Sequence, residues 1–361
     1  MSALQWARLF SSKLNPRAFS FFLLPSLFFL TSGCSTISYI YQAGRGQLAL
    51  SNRARPISAV LQSDRTPQRI KELLSEIPDI KKFTEQNGLK PTKNYTEYVE
   101  LNRPSAVWVV TASDKLRFAP RSWSFPLVGS FTYLGWFDRK DADNFAKVLD
   151  VQNLDVDVRG ARAYSTLGWF TDPILSTMIP AGERALGDLV NVVVHESVHA
   201  TIYIKDQAFF NESIASFIAD KLTPEYLKRA RGAGSQLLTD YLAGEKASEN
   251  YYSEMHDAYN RLSGVYASAI SDEEKLKQKQ RILDALRSSL KISRPINNAS
   301  LIQFRTYRAG VKEFERVFDS YERAGGDIAG FIQKVKASVT DSSFERKHQE
   351  DLLAVTEALV K

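Results

Sequence analysis

Cysteine is almost missing from this chain: there is one in 361 residues, Cys34. That scarcity excludes a disulfide within the chain and any cysteine-built zinc cluster. Histidine is scarce too, four in all. A strong charge of one sign is also absent. Lysine and arginine number 47 against 41 acidic residues, a formal charge of +6. Without Arg8, Lys13 and Arg17 of the N-terminal segment the charge is about +3. That is too even for a nucleic-acid surface, and no nucleic-acid partner is expected. Long apolar runs are missing as well. The best, Phe19 to Leu30, is interrupted by Ser20, Pro25 and Ser26 and is short for a bilayer span. Hydrophobic residues at 44% and charged residues at 24% are globular values, so a packed core is expected.

What is present begins at the N-terminus. Three basic residues, the interrupted apolar run and then Leu30-Thr-Ser-Gly-Cys34 have the layout of a secretory signal peptide over residues 1–33. Gly33-Cys34 resembles a bacterial lipobox, which implies lipidation of Cys34 and a lipidated lead-in over residues 34–55. Ser35 after the cysteine resembles lipoproteins sorted to the outer membrane of Gram-negative bacteria. The implied location is the cell envelope, lipid-anchored and facing the periplasm, with the membrane as a partner.

The densest chemistry lies in Val192–Asp220, VVVHESVHATIYIKDQAFFNESIASFIAD. His195 and His199 are four apart, so on a helix they lie on one face and can point at one ion. A tetrahedral Zn²⁺ suits two such imidazoles. Glu196 sits at the edge of that face, within reach of a water held there. The flanking Val192, Val193, Val194 and Val198 mark the helix as buried, where unpartnered polar side chains are costly. A turn through Lys205-Asp206-Gln207 and a second helix could return Glu212 as third ligand. One zinc per chain with an open fourth position is the pattern of a catalytic site. The plainer reading is a pair of satisfied core histidines on an amphipathic helix.

This run resembles the gluzincin metallopeptidases, and FFNESIASFIAD is similar to the Asn-Glu segment of thermolysin and of the alanyl-aminopeptidase type. Two features depart from that pattern. The connection from His199 to Glu212 is shorter, and Ser216 stands where thermolysin has an aspartate that steers a histidine. A closer resemblance is to a family of predicted bacterial aminopeptidases, often lipoproteins, which shares the compact spacing and the preceding Gly168-Trp169-Phe170…Asp172-Pro173 segment. The resemblance implies a zinc-dependent peptidase acting on a peptide substrate. It implies His195, His199 and Glu212 as ligands and Glu196 as general base. Tyr307 is the implied oxyanion donor, and Asn297 and Asn298 the implied substrate contacts; Trp169, in the loop beside the site helix, could line a specificity pocket as a substrate contact or serve as a packed connector. No Gly-x-Met-Glu-Asn segment is present to clamp a substrate ammonium, so endopeptidase action stays open. A non-enzymatic envelope lipoprotein with a structural or vestigial site, and a hydrolase of another amide such as a peptidoglycan peptide, are the competing readings.

Around the site, Ile57 to Gly88 reads as three short helices, and Tyr95 to Leu101 as a further helical stretch. AVWVVTAS, KLRFAP and GSFTYLGWF read as strands, and Asp138 to Val151 as a helix. Leu154 to Arg159 alternates as another strand, with Asp155 and Asp157 on a solvated face. Beyond Pro224 helices follow over Glu225–Leu242, Ser248–Ala269, Asp272–Ile292 and three later segments. The run Asp272–Arg281 is expected to be solvated, and Asn298 to cap the helix after Pro295. His256 and His348 read as surface residues. The expected fold is α+β and predominantly helical, with a small antiparallel sheet before a zincin-like active-site helix and a C-terminal helical bundle after it. Residues 56–223 would hold the sheet and metal site, and residues 224–361 would complete the cleft.

Overall fold

The computed structural model describes residues 30–125, 129–164, 166, 170–204, 207–308 and 310–339. The expected signal peptide up to residue 29, Trp169 and His348 lie outside the described residues, as do the side chains of Cys34 and Tyr307. The chain divides into two units, Met1–Gly44 and Arg45–Lys361. No helix among the described residues is long and apolar enough to cross a membrane.

Helix α1 spans Leu30–Arg53, and strand β1 is Arg55–Pro56. Helices α2 (Ile57–Gln62), α3 (Gln68–Ser75) and α4 (Ile77–Gln86) follow, as their apolar spacing anticipates. Val60, Leu74, Ile77 and Ile80 form their buried side. Pro78 sits in the first turn of α4, where its missing N–H leaves no bond unmade.

The next stretch corrects the sequence reading. Tyr95–Leu101 is not helical. It holds strand β2 (Glu97–Val99), which runs antiparallel to β1 and parallel to a later strand at Ile174–Leu175. Tyr95 itself has φ +65°, a left-handed conformation that a helix cannot include. Strand β3 is Val107–Asp114. KLRFAP forms no named strand, only an isolated bridge from Pro120 to Ser113. Its carbonyls are taken elsewhere: Lys115 O accepts from Lys279, and Arg117 O from Asn298.

Strands β4 (Trp123–Phe125) and β5 (Gly129–Phe131) pair as a hairpin, and β6 (Leu134–Trp136) joins β3. Helix α5 (Arg139–Val151) starts at Asp138, whose carboxylate accepts from the N–H groups of Lys140 and Asp141. Strand β7 (Leu154–Ala161) lies antiparallel to β3 along eight residues, from Asp114 opposite Leu154 to Val107 opposite Ala161. The central sheet is thus antiparallel in the order β6-β3-β7, while β8 (Ile174–Leu175) adds the parallel pair with β2.

The described residues after β8 are mainly helical: α6 (Ala185–Thr201), α7 (Ala208–Arg231), α8 (Gln236–Ala267), α9 (Asp272–Ser289), α10 (Asn298–Arg308), α11 (Val311–Arg323) and α12 (Ile328–Ser338). Helix α7 runs through Pro224 unbroken, so residue 224 marks no change of element. A proline inside a helix costs about 3 kcal/mol, and here buried Leu222, Tyr226 and Leu227 hold the helix against the core. Helix α8 is likewise one element where two were expected. Arg184 lies so close over Gly244 that a Cβ there would overlap its guanidinium. The glycine marks a close approach and not a break.

Asp155 and Asp157 are the clearest correction. The expected solvated face is buried, with the two residues 9% and 6% exposed. Lys279 of α9 pairs with Asp155, and Arg294 Nη1 lies 2.6 Å from Asp157 Oδ1. Lys279 is buried as well, so the run Asp272–Arg281 is not wholly solvated. Strand alternation separated two faces, but the helices that cover one of them come from more than a hundred residues later.

Candidate active site

The site is built on α6 and α7, the helices at the centre of the main core. Leu189, Val190, Val193, Val194 and Val198 of α6 are fully buried, as are Ile214, Ala215, Phe217 and Ile218 of α7. Ser197 and Thr201 return their hydroxyls to the carbonyls of Val193 and Ser197, so these polar side chains stay satisfied inside the core.

Between the two helices the chain turns in a few residues. Asn211 fixes that turn. Its side-chain carbonyl accepts from Ile204 N–H at 2.9 Å, and its amide donates to Ile204 O at 2.8 Å. The connection is thereby tied to the first turn of α7, one residue before Glu212. The short spacing after His199 is therefore long enough to bring Glu212 back.

Three donor atoms converge as a result. His195 Nε2 lies 3.2 Å from Glu212 Oε2 and 3.2 Å from His199 Nε2, and His199 Nε2 lies 3.7 Å from Glu212 Oε2. Ligands about 2.0–2.1 Å from a tetrahedral zinc ion stand about 3.3 Å apart, so the three donors fit such an ion. The side chains of His195, His199 and Glu212 are 17%, 7% and 12% exposed. Among the described residues this is the group of His, Cys, Asp and Glu side chains able to hold a metal, and no fourth protein ligand joins it.

Electrostatics follow from the burial. Desolvation alone would raise Glu212, but the two histidines outweigh it and hold the carboxyl far below its usual range. Burial pushes His199 down, and Glu212 and Glu196 overcome that, so its imidazole is held above the ordinary value. Glu196 is pushed up, first by burial and then by Glu212 and Asp172, against the pull of the histidines. Glu196 Oε2 and His199 Nδ1 are buried without a hydrogen-bond partner among the described residues. The Ser216 hydroxyl therefore does not serve His199.

The remaining expected site residues are placed differently. Asn297 caps α10: its side-chain oxygen accepts from Ser300 N–H at 3.2 Å, and its amide donates to Val156 O. Asn298, expected as the cap, is the first residue of that helix and is fully buried. Its amide donates to Asp114 O at 2.8 Å, its side-chain oxygen accepts from Tyr266, and its N–H donates to Asp155. Both amides are engaged within the protein, Asn298 in the interior and Asn297 half-buried at the helix start. Tyr307 lies on α10, and His256 is exposed as expected.

Two site neighbours were given no role of their own from the sequence, although Asp172 belongs to the segment that carries the family resemblance. Asp172 is buried, and its carboxylate accepts from Thr166 Oγ1 at 2.7 Å and Thr166 N–H at 3.1 Å. Tyr95 is 3% exposed, and its N–H donates to Asp172 O at 2.8 Å. Both act electrostatically on Glu196 or feel its charge. Tyr95 stands at no spacing that a linear pattern reveals.

No curated protein and no solved structure matches the chain. A family model described as "Putative aminopeptidase" matches residues 38–350, nearly all of the chain that carries these helices and sheets. With that match, the chain belongs to this aminopeptidase family.

Proposed function

We propose that the protein is a zinc-dependent peptidase that hydrolyses peptide bonds. The observation that carries this reading is the convergence of His195 Nε2, His199 Nε2 and Glu212 Oε2 at separations of 3.2, 3.2 and 3.7 Å. These residues would hold the ion, which when bound supplies Lewis acidity toward the scissile carbonyl and acidifies water.

Glu196 accepts a proton from the attacking water as the new C–O bond forms. It returns that proton to the leaving nitrogen as the C–N bond breaks. Its raised proton affinity, caused mainly by burial, suits both transfers. Tyr307 is the proposed donor to the carbonyl oxygen on the resemblance alone, and Trp169 a proposed substrate contact from its place in the loop before the site helix. Family membership favours removal of N-terminal residues. The N-terminal pattern ending at Cys34 supports a lipid anchor in the bacterial envelope, on the periplasmic side of the outer membrane.

The rival reading is a non-enzymatic lipoprotein with a structural metal. A closed structural site uses four protein ligands, and the described residues supply three. The test is zinc content of the chain from Ser35 onward, beside cleavage of a peptide library. About one zinc per chain, kept in Glu196→Gln and reduced in Glu212→Ala, with cleavage lost in both, supports the peptidase. Zinc binding indifferent to Glu212, or cleavage that survives Glu196→Gln, overturns it.

A further inference from the structure

We propose that helix α1 lies on an anionic membrane surface along the face that carries Ile40, Tyr41 and Leu48. The protein then meets the bilayer through its own side chains as well as through a lipid at Cys34. The inference rests on the envelope location proposed above and is independent of the peptidase reading.

The first observation is exposure. Nine large hydrophobic side chains are exposed among the described residues, and three of them fall on this one helix: Ile40, Tyr41 and Leu48, at 53%, 70% and 62%. Helical spacing gathers them. Ile40, Gly44 and Leu48 are four apart, and Tyr41 and Leu48 seven apart, so the four positions share one stripe. A Cβ added at Gly44 would meet nothing within 4 Å, so the stripe is open along its middle. The opposite side of the helix is already occupied. Gln47 and Leu50 are buried there, and a Cβ at Gly46 would overlap the Phe137 ring. The helix therefore has its packing face, and the exposed stripe is a second apolar face. Single exposed apolar residues are ordinary, whereas a contiguous row marks a contact surface.

The second observation is charge, and it selects the occupant. The sequence contains no aspartate or glutamate before Asp64, while Arg45 on the helix and Arg55 just beyond it are exposed. Arg45 follows Gly44 directly and so flanks the stripe. A second copy of the chain, paired through the same face, would offer Arg45 no acid and would set like charges together. A membrane with acidic phospholipid supplies the missing charge. Its headgroup region takes Ile40 and Leu48 between the lipids and suits the half-polar ring of Tyr41. No helix among the described residues is long and apolar enough to cross a membrane, so α1 lies along the surface. Position agrees with charge. Tyr41 and Leu48 follow Cys34 at intervals of seven residues, close to two helical turns, so the three positions fall in one line along α1.

The experiment is flotation of the chain from Ser35 onward, which carries no lipid and keeps the whole Arg45–Lys361 unit. The vesicles are phosphatidylcholine alone or phosphatidylcholine mixed with phosphatidylglycerol. Wild type is expected to float with the mixed vesicles and not with the neutral ones, and to be released by raised salt. Arg45→Glu, and separately Tyr41→Gln with Leu48→Gln, should each weaken the partition about tenfold. The melting temperature should not change, because all three side chains are exposed. Val151→Gln removes an exposed apolar side chain from α5 and should leave flotation intact. Wild type that does not float overturns the proposal, and so does a loss in Val151→Gln equal to that of the double variant. A dimer in solution that Tyr41→Gln with Leu48→Gln dissolves overturns it in favour of a second copy. The anchor is read separately, from the mass of Cys34 in full chain recovered from bacterial membranes. An unmodified Cys34 sinks the lipid reading while flotation keeps the α1 face, and a lipidated Cys34 beside a chain that does not float does the reverse.

Discussion

Asn211 and Ile204 exchange two hydrogen bonds, 2.9 and 2.8 Å long, across the turn between the ligand helices. The pair is buried and joins side chain to backbone in both directions. It explains how Glu212 reaches the histidines over so short a connection.

Replacing Asn211 by alanine would strand a buried N–H and a buried carbonyl. The expected loss of stability is about 2–4 kcal/mol, read from a urea titration. Zinc affinity should fall in parallel, although Asn211 is no ligand. Full zinc affinity in Asn211→Ala would show that the turn holds its shape unaided.

The zinc-free protein should have a stability window set by Glu212 and His199. Glu212 is held below its unfolded value of about 4.3, so its contribution is complete above that pH and is lost on acidification. His199 is held above its unfolded value of about 6.5, so its contribution is complete below that pH and is lost as pH rises. Both are present together between about pH 4.3 and 6.5. Glu196 works the other way above about pH 4.3, because burial raises it, and Glu196→Gln removes that opposing slope. Melting temperatures of chelator-treated protein across pH test this, and Glu212→Gln should flatten the profile.

The buried pair of Lys279 and Asp155 ties α9 to the sheet. Burial lowers the lysine's proton affinity, and Asp155 only partly offsets that. Lys279→Met leaves a buried carboxylate without its cation, a loss of about 3–5 kcal/mol. Adding Asp155→Asn removes the stranded charge and keeps an acceptor for the Asn298 N–H, so the double variant should recover much of the loss. Equal unfolding midpoints for the single and double variants would refute this account.

Gly187 faces Tyr241 so closely that a Cβ would come within 2.3 Å of the ring. Gly187→Ala should therefore cost about 1–3 kcal/mol by overpacking. Two turns separate it from His195, so zinc stoichiometry should hold while the melting temperature drops.

The group of donors able to hold a metal was legible because helical spacing puts His195 and His199 on one face whatever surrounds them. The Asn-Glu dipeptide was legible as a pattern, but the bond from Asn211 to Ile204 needed coordinates. Asp155 and Asp157 misled because alternation tells which residues share a face, not what later covers it. Lys279 and Arg294 do so from 124 and 137 residues away. Tyr95 was invisible for a related reason. Its left-handed backbone is held by Lys81, which donates to Asn94 O, and by Asp172, whose carbonyl accepts its N–H, and no local propensity announces it.

The ligand helices are fastened by their own apolar faces, Val193 and Val194 on one and Phe217 and Ile218 on the other, all without solvent exposure. This cohesion sets an order of assembly. The packing that presents the three donors is made by apolar side chains, so a metal bound there would enter a structure already formed. A chain that crosses a membrane unfolded would then acquire its ion on the far side, and stripping the ion with a chelator would leave a folded protein ready to take it back.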